Sequence, residues 1–240
     1  MPDDAMPDDA MPNDAMPNDA TSGDGVSDDP DLALVRRLVR PLAAVASRPD
    51  VVAEVVRRTV ADHHAPHRHY HTPEHLREMV AEVERLTGRL EPAVAGAIAF
   101  HDVVYDPRRI DNEVASAARA RTDLGGEVDD DVVATVERLV VVTDGHDIAA
   151  GDVLGALVVD ADLWILSSPP QRHDRYVHDV RAEYAHLDDA AWREGRSAVL
   201  DRLWQQLATV GYRCGGEEDR AARTQRALAN IDRERTALEA

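Results

Sequence analysis

Leu139-Val140-Val141-Val142 is the run most easily mistaken for a β-strand, and how it is read decides the fold class. A half-buried strand alternates apolar and polar residues, and a buried strand needs others to pair with. This run does not alternate and the chain offers it no partner strand, so it belongs to a helix over about 129–143. The segments on either side keep helical spacing. Toward the N-terminus, Asp111 caps a helix that ends at Gly125-Gly126, and another runs from about Glu91 through Val94, Ile98 and Phe100 to His101-Asp102. Thr72 and Pro73 open a further helix, closed by Gly88, in the N-cap and first-position roles those residue types favour. Pro49-Asp50 begins a helix reaching about Asp62. Before it, Leu32, Val35, Leu38, Leu42 and Val45 recur every three or four residues, with a kink expected at Pro41. Toward the C-terminus, helices are expected near 152–166, 170–186, 188–210 and 217–239. About ten helices with short connections predict an all-α bundle.

The chain has 240 residues, 46 of them acidic and 27 basic, for a formal charge of −19; every basic residue is Arg. Nine of the acids fall in residues 1–29, which contain no Arg, so the other 37 acids against 27 arginines leave 30–240 near −10. Residues 1–20 are four tandem pentapeptides, Met-Pro-Asp-Asp-Ala twice and Met-Pro-Asn-Asp-Ala twice. That period is too short for a solenoid unit, and its prolines block a helix. With little apolar surface to offset the entropy of ordering, 1–29 is expected to be a disordered low-complexity tail ahead of a single domain over 30–240.

Composition also excludes several classes. No run of 18 apolar residues offers a spanning helix, and no basic region followed by an apolar stretch offers a secretory signal. Cys214 is the only cysteine, which rules out an internal disulfide and a Cys-based zinc cluster. The acidity argues against binding a nucleic acid polymer through its phosphates. A soluble cytoplasmic protein is expected. Ala221, Leu228, Ile231 and Leu238 form one stripe of the last helix, read as core packing, with a homo-oligomer face as the alternative.

Eleven His are many for this length, and their placement matters more than their number. His71 and His75 lie four apart across a helix start, a spacing that stacks side chains on one face. His101-Asp102 closes the next helix after the apolar run Ala-Gly-Ala-Ile-Ala-Phe. Asp160 and Asp162 stand in Leu-Val-Val-Asp-Ala-Asp-Leu-Trp-Ile-Leu, where an acid must be paired or bind metal, because an unpaired buried charge is too costly. A His pair and two acid-bearing apolar helices supply what a mononuclear site needs. Imidazole and carboxylate together hold a divalent ion and leave positions open for water. Positions 160 and 162 differ by about 200° around a helix, so only one can face the ion. Singly, each feature has a structural reading: a solvated loop for His63, His64, His67 and His69, a helix-end hydrogen bond for His101-Asp102, an Arg pair for Asp160.

Three blocks follow one another along the chain: Arg68-His69-Tyr70-His71-Thr72-Pro73-Glu74-His75; Phe100-His101-Asp102-Val103-Val104-Tyr105-Asp106-Pro107 with Asp111-Asn112-Glu113; and Asp160-Ala161-Asp162-Leu163. Together they resemble the HD superfamily of metal-dependent phosphohydrolases, and more narrowly a bacterial group marked by Arg-His-Tyr-His-Thr-x-x-His. Ala222-Arg223 and Asn230 are similar to that group too, and the resemblance covers about 31–240. It implies an HD-domain-like helical bundle and a divalent ion (Mn, Mg, Fe, Co, Ni or Zn) held by His75, His101, Asp102 and Asp162. The superfamily's Ala-Asp-(Leu or Arg) pattern selects Asp162 as the fourth ligand. Asp160 is then left to orient a ligand from behind. Similarity to cyclic-nucleotide phosphodiesterases makes His71 a proton donor. By analogy with relatives, Glu113 is a candidate general base and His146 a candidate additional metal ligand. Arg108 and Arg109, close to the ligands in sequence, and Tyr105 are candidate substrate contacts.

The expected activity is hydrolysis of a phosphate ester, a nucleotide or another small phosphorylated metabolite, by metal-activated water. Two alternatives stand beside it: an HD-fold di-iron oxygenase, and a non-catalytic module that binds metal or nucleotide.

Overall fold

The computed structural model describes residues 29–239, so all of the tail expected over 1–29 except Asp29 lies outside the described residues. Among them the fold is all-α: α1 (Pro30–Ala43), α2 (Pro49–Asp62), α3 (Pro73–Thr87), α4 (Pro92–Phe100), α5 (Asn112–Leu124), α6 (Asp130–Val141), α7 (Val153–Asp162), α8 (Pro170–Glu183), α9 (Asp189–Thr209) and α10 (Glu217–Glu239). Leu139–Val141 form the last turn of α6, and β pairing among the described residues is limited to isolated bridges such as Ala46–Val128.

Several boundaries differ from expectation for local reasons. Asp29, assigned to the tail, is the N-cap of α1; its carboxylate accepts from the Asp31 N–H at 2.9 Å, with Pro30 in the first turn. The helix expected over 152–166 splits: α7 ends at Asp162 and the chain tightens into a 3₁₀ turn, Leu163–Ser167, ahead of Pro169-Pro170. Thr72 and Asp111 occupy N-cap positions, but neither side chain caps its helix. Pro41 sits in the last turn of α1, where it interrupts little.

Packing divides into two apolar cores. In the first, α4 is innermost, with every residue from Ala93 to Phe100 buried, which is why it shows no amphipathic stripe. A side chain at Gly96 would put its Cβ 2.5 Å from Val136 Cγ2, so glycine there lets α4 and α6 approach closely. α1 presents Leu34, Leu38 and Leu42 to this core. The second core gathers Tyr176, Trp192, Leu200, Leu203 and Ile231 from α8, α9 and α10. From the expected C-terminal stripe, Ile231 is buried, Leu228 and Leu238 pack partly against this core, and Ala221 is exposed.

α7 joins the halves: Leu157, Val158 and Ala161 belong to the first core and Val159 to the second. Its last turn therefore carries Asp160 and Asp162 into the seam between them. Among the described residues no single helix is long and apolar enough to cross a membrane.

Candidate metal centre

Three helix ends meet at that seam. His75 lies in the first turn of α3, placed there by Pro73 at the helix start. His101 is the C-cap residue of α4, delivered by a helix whose apolar residues leave it no freedom to face water. Asp162 is the last residue of α7. His75 Nε2 lies 3.1 Å from His101 Nε2 and 3.1 Å from Asp162 Oδ1, while His101 Nε2 is 3.9 Å from the same oxygen. One ligand atom from each of the three falls within 4.8 Å of the others, an arrangement that can hold a metal ion. Asp102 borders this trio through His101, with its Oδ2 2.9 Å from Nε2.

The donor chemistry fits a cation. His101 Nδ1 lies 3.0 Å from the Ile98 carbonyl. A carbonyl only accepts, so that nitrogen carries the hydrogen and Nε2 of a neutral ring is a bare lone pair. That lone pair faces the Asp102 carboxylate and, farther off, Asp162. Lone pair against carboxylate repels unless a positive charge intervenes. A proton supplies it in the metal-free protein. Burial opposes charging His101, but Asp102 and then Asp162 outweigh it and raise the ring to about 9. The acids respond in kind: against burial, His101 and His71 hold Asp102, and His146 and His75 hold Asp162, below the usual carboxylate range. The site is built around positive charge, and a divalent ion answers that demand with two neutral imidazoles and two carboxylates at hand. His75 Nδ1 meets the Tyr70 hydroxyl at 3.1 Å, which fixes the ring plane.

His71 stands on the rim. Its Nδ1 is 2.7 Å from Glu183 Oε2, and its Nε2 points back toward the cluster, 3.9 Å from Asp102 Oδ2. Glu183 was not legible as a site residue. Oε1 accepts the backbone N–H groups of His69, Tyr70 and His71, at 2.8, 2.8 and 3.0 Å, and Oε2 also accepts the Tyr105 hydroxyl at 2.7 Å. Burial works against its ionisation, but His71 and these donors bring Glu183 down to about 2. The signal for it in the sequence is the face of α8 formed by His173, Tyr176, Val180 and Glu183, at helical spacing and ending in an acid. Arg68 completes the support. Its guanidinium donates to the carbonyls of Asp102 (2.8 Å), Val103 (3.0 Å) and His71 (3.2 Å), clamping the His-rich turn to the His-Asp turn.

The remaining candidates divide. His146 does join the centre: Nε2 is 3.1 Å from Asp162 Oδ2, the oxygen not facing His75. It adopts φ 62°, unusual for a residue with a side chain, and Gln206 holds its carbonyl at 2.7 Å. Glu113 is half-buried at the start of α5; burial raises its carboxyl, with Asp102, Asp144 and Asp162 adding to the effect. Tyr105 braces His71, ring centroids 4.2 Å apart, rather than facing open space. Asp160 does not back a ligand. It points away and accepts the N–H groups of Arg213 (2.8 Å) and Cys214 (2.7 Å), as the angle around the helix requires. Arg108 and Arg109 are turned outward: Arg109 makes a two-pronged pair with Asp111, and Arg108 is exposed beside Asp106. In the His-rich turn, His64 meets Asp31, His67 meets the Tyr105 carbonyl, and His63 is wholly buried.

Comparison of the chain with protein-family models, with curated proteins and with solved structures gives no match.

Proposed function

We propose that the protein is an HD-type metal-dependent phosphohydrolase acting on a small phosphate ester. The observation that carries this reading is the convergence of His75, His101 and Asp162 from three separate helices, with Asp102 against His101. A divalent ion held there supplies Lewis-acid activation of water and of a phosphoryl oxygen. Asp102 and Asp162 balance its charge, and His75 and His101 hold their remaining nitrogens on Tyr70 and Ile98. His71 has Nδ1–H committed to Glu183, so Nε2 is the atom available to pass a proton to the leaving oxygen at the rim. Glu113, with its affinity for protons raised by burial, would take one from the attacking water. Arg108 and Arg109 have no part in this scheme, because their charges are already answered by Asp106 and Asp111.

Purified protein, assayed for metal content and for phosphate release from nucleotides and generic phosphoesters with added Mn, Mg, Co, Ni, Fe or Zn, tests the proposal. It expects bound metal and turnover that His101→Ala removes together. Stoichiometric metal without turnover across the panel leaves a metal-binding module instead. A second reading draws on one contact. Asp162 presents Oδ1 to His75 and Oδ2 to His146, the disposition of a carboxylate between two ions. Two irons per chain with oxygen consumption would favour the oxygenase chemistry over hydrolysis.

A further inference from the structure

One spacious cavity lies away from the His/Asp cluster. It measures about 600 Å³ and opens between the loop before α7, the first turn of α7 and the loop joining α9 to α10. That volume is in the range of small-molecule sites. Its walls are largely apolar, with Ile148, Val153, Ala156, Val210 and Tyr212 among them. Val153 and Val210 are 72% and 51% exposed, two of only five large apolar side chains left so open among the described residues, and both face this one hollow. Apolar surface concentrated in a concavity marks a place where something binds.

The polar groups at its edge specify the charge. Arg213 and Arg220 both line it. Most arginines of this acidic chain meet a carboxylate, yet among the described residues no ion pair within 4.0 Å engages either of these two. Arg220 is held by one nitrogen, which donates to the Arg213 carbonyl at 3.3 Å, and its other donors meet no acceptor among the described residues. The lone acid in the lining, Asp152, is consumed by Arg138 and by the N–H of Gly155. An apolar bed with two unanswered guanidiniums is complementary to a molecule with an apolar body and an anionic head.

We propose that this cavity is a binding site for a small amphipathic carboxylate, its hydrocarbon part on Val153, Val210 and Tyr212 and its head between Arg213 and Arg220. The site is independent of the metal centre and stands whether or not that centre is catalytic. Octanoate is the probe, titrated calorimetrically into the full chain. The expected result is a single-site isotherm, weakened about tenfold for 1-octanol and for the double variant Arg213→Gln/Arg220→Gln, and abolished in Val153→Asp. Both variants alter exposed or rim side chains, and unchanged circular dichroism confirms that they fold. No saturable octanoate binding, or binding that these variants leave intact, overturns the proposal. Displacement of bound octanoate by a synthetic peptide of residues 1–20 also overturns it, because the hollow would then belong to the chain's own acidic repeats.

Discussion

Asp160 and Asp162, two residues apart on α7, end in two buried polar clusters that differ in the source of positive charge. Around Asp160 the cation is Arg223, itself 2% exposed, 3.9 Å from Asp160 and 3.1 Å from both Glu82 and Asp219, with Cys214 accepting from the same guanidinium. Around Asp162 the partners are imidazoles: His75, His101 and His146. A guanidinium cannot surrender its proton, so the first cluster is permanently neutralised and ties α10 to α3 and α7. An imidazole can exchange its proton for a metal, so the counter-charge of the second cluster is replaceable. Burial of acids alone therefore does not mark a functional site; the exchangeability of the counter-charge does.

The sharpest way to break this contrast is to remove the fixed cation. Arg223→Met leaves Asp160 buried with no guanidinium nearby and Glu82 with Arg85 alone, and should cost about 3–5 kcal/mol in chemical denaturation, unaffected by added metal. A loss below about 1 kcal/mol would mean that the Asp160 cluster is not held by charge. Next in size is metal itself. An ion bound only by the folded state at a hundred times its Kd adds about 2.7 kcal/mol and raises Tm. Asp162→Asn or His101→Ala should abolish that rise, whereas Asp160→Asn, which keeps an oxygen for the Arg213 and Cys214 N–H groups, should preserve it. Equal loss in the Asp160 variant would erase the distinction between the clusters.

Acid titration sharpens the same point with a third buried ring. His63, like His101, gives its Nδ1–H to a backbone carbonyl, that of Thr59 at 2.8 Å, but its Nε2 is buried with no partner among the described residues. Burial, then nearby Arg68, depress it to about 3. The unfolded ring binds a proton near pH 6.5 and the folded one does not, so its contribution to stability is lost as pH falls below 6.5. Between pH 7 and 5 the loss is about 2 kcal/mol. His101, raised to about 9, has the opposite sign in metal-free protein: its contribution is complete below pH 6.5 and disappears as pH rises through 9. Denaturation at pH 5 and 7 of wild type and His63→Asn checks this, since the variant should lack the acid-side loss; identical slopes would mean that His63 is charged or hydrated in the fold.

The sequence carried the helices well because their signals are local: Pro in the first turn of five helices, an apolar period, Gly88 at a helix end. It carried the split of Asp160 from Asp162 because a helix fixes their angle. Asp162's partners at 3.1 Å, by contrast, depend on how α3, α4 and α7 cross, and no local pattern encodes that. Glu183 was invisible for the same reason: it stands 112 residues from the His71 it holds. Arg108 and Arg109 misled because nearness in sequence to a ligand says nothing of direction, and Asp111 two residues on draws Arg109 outward.

Glu183 supports the smallest but most discriminating effect. Its Oε1 accepts three consecutive N–H groups, and its Oε2 accepts His71 Nδ1–H and the Tyr105 hydroxyl. In Glu183→Gln the amide oxygen can keep the three backbone bonds, so the turn should survive. The amide NH₂ then faces two donors where a carboxylate oxygen stood, and His71 loses the charged partner that fixes its tautomer. Metal content should be unchanged, because none of the cluster atoms touches Glu183. Turnover should fall about tenfold, roughly 1.4 kcal/mol, and more for alkyl phosphoesters, which need a proton on the leaving oxygen, than for 4-nitrophenyl esters, which do not. Equal loss on both substrates, or loss of metal, would make Glu183 a brace for the ligands and remove His71 from proton transfer.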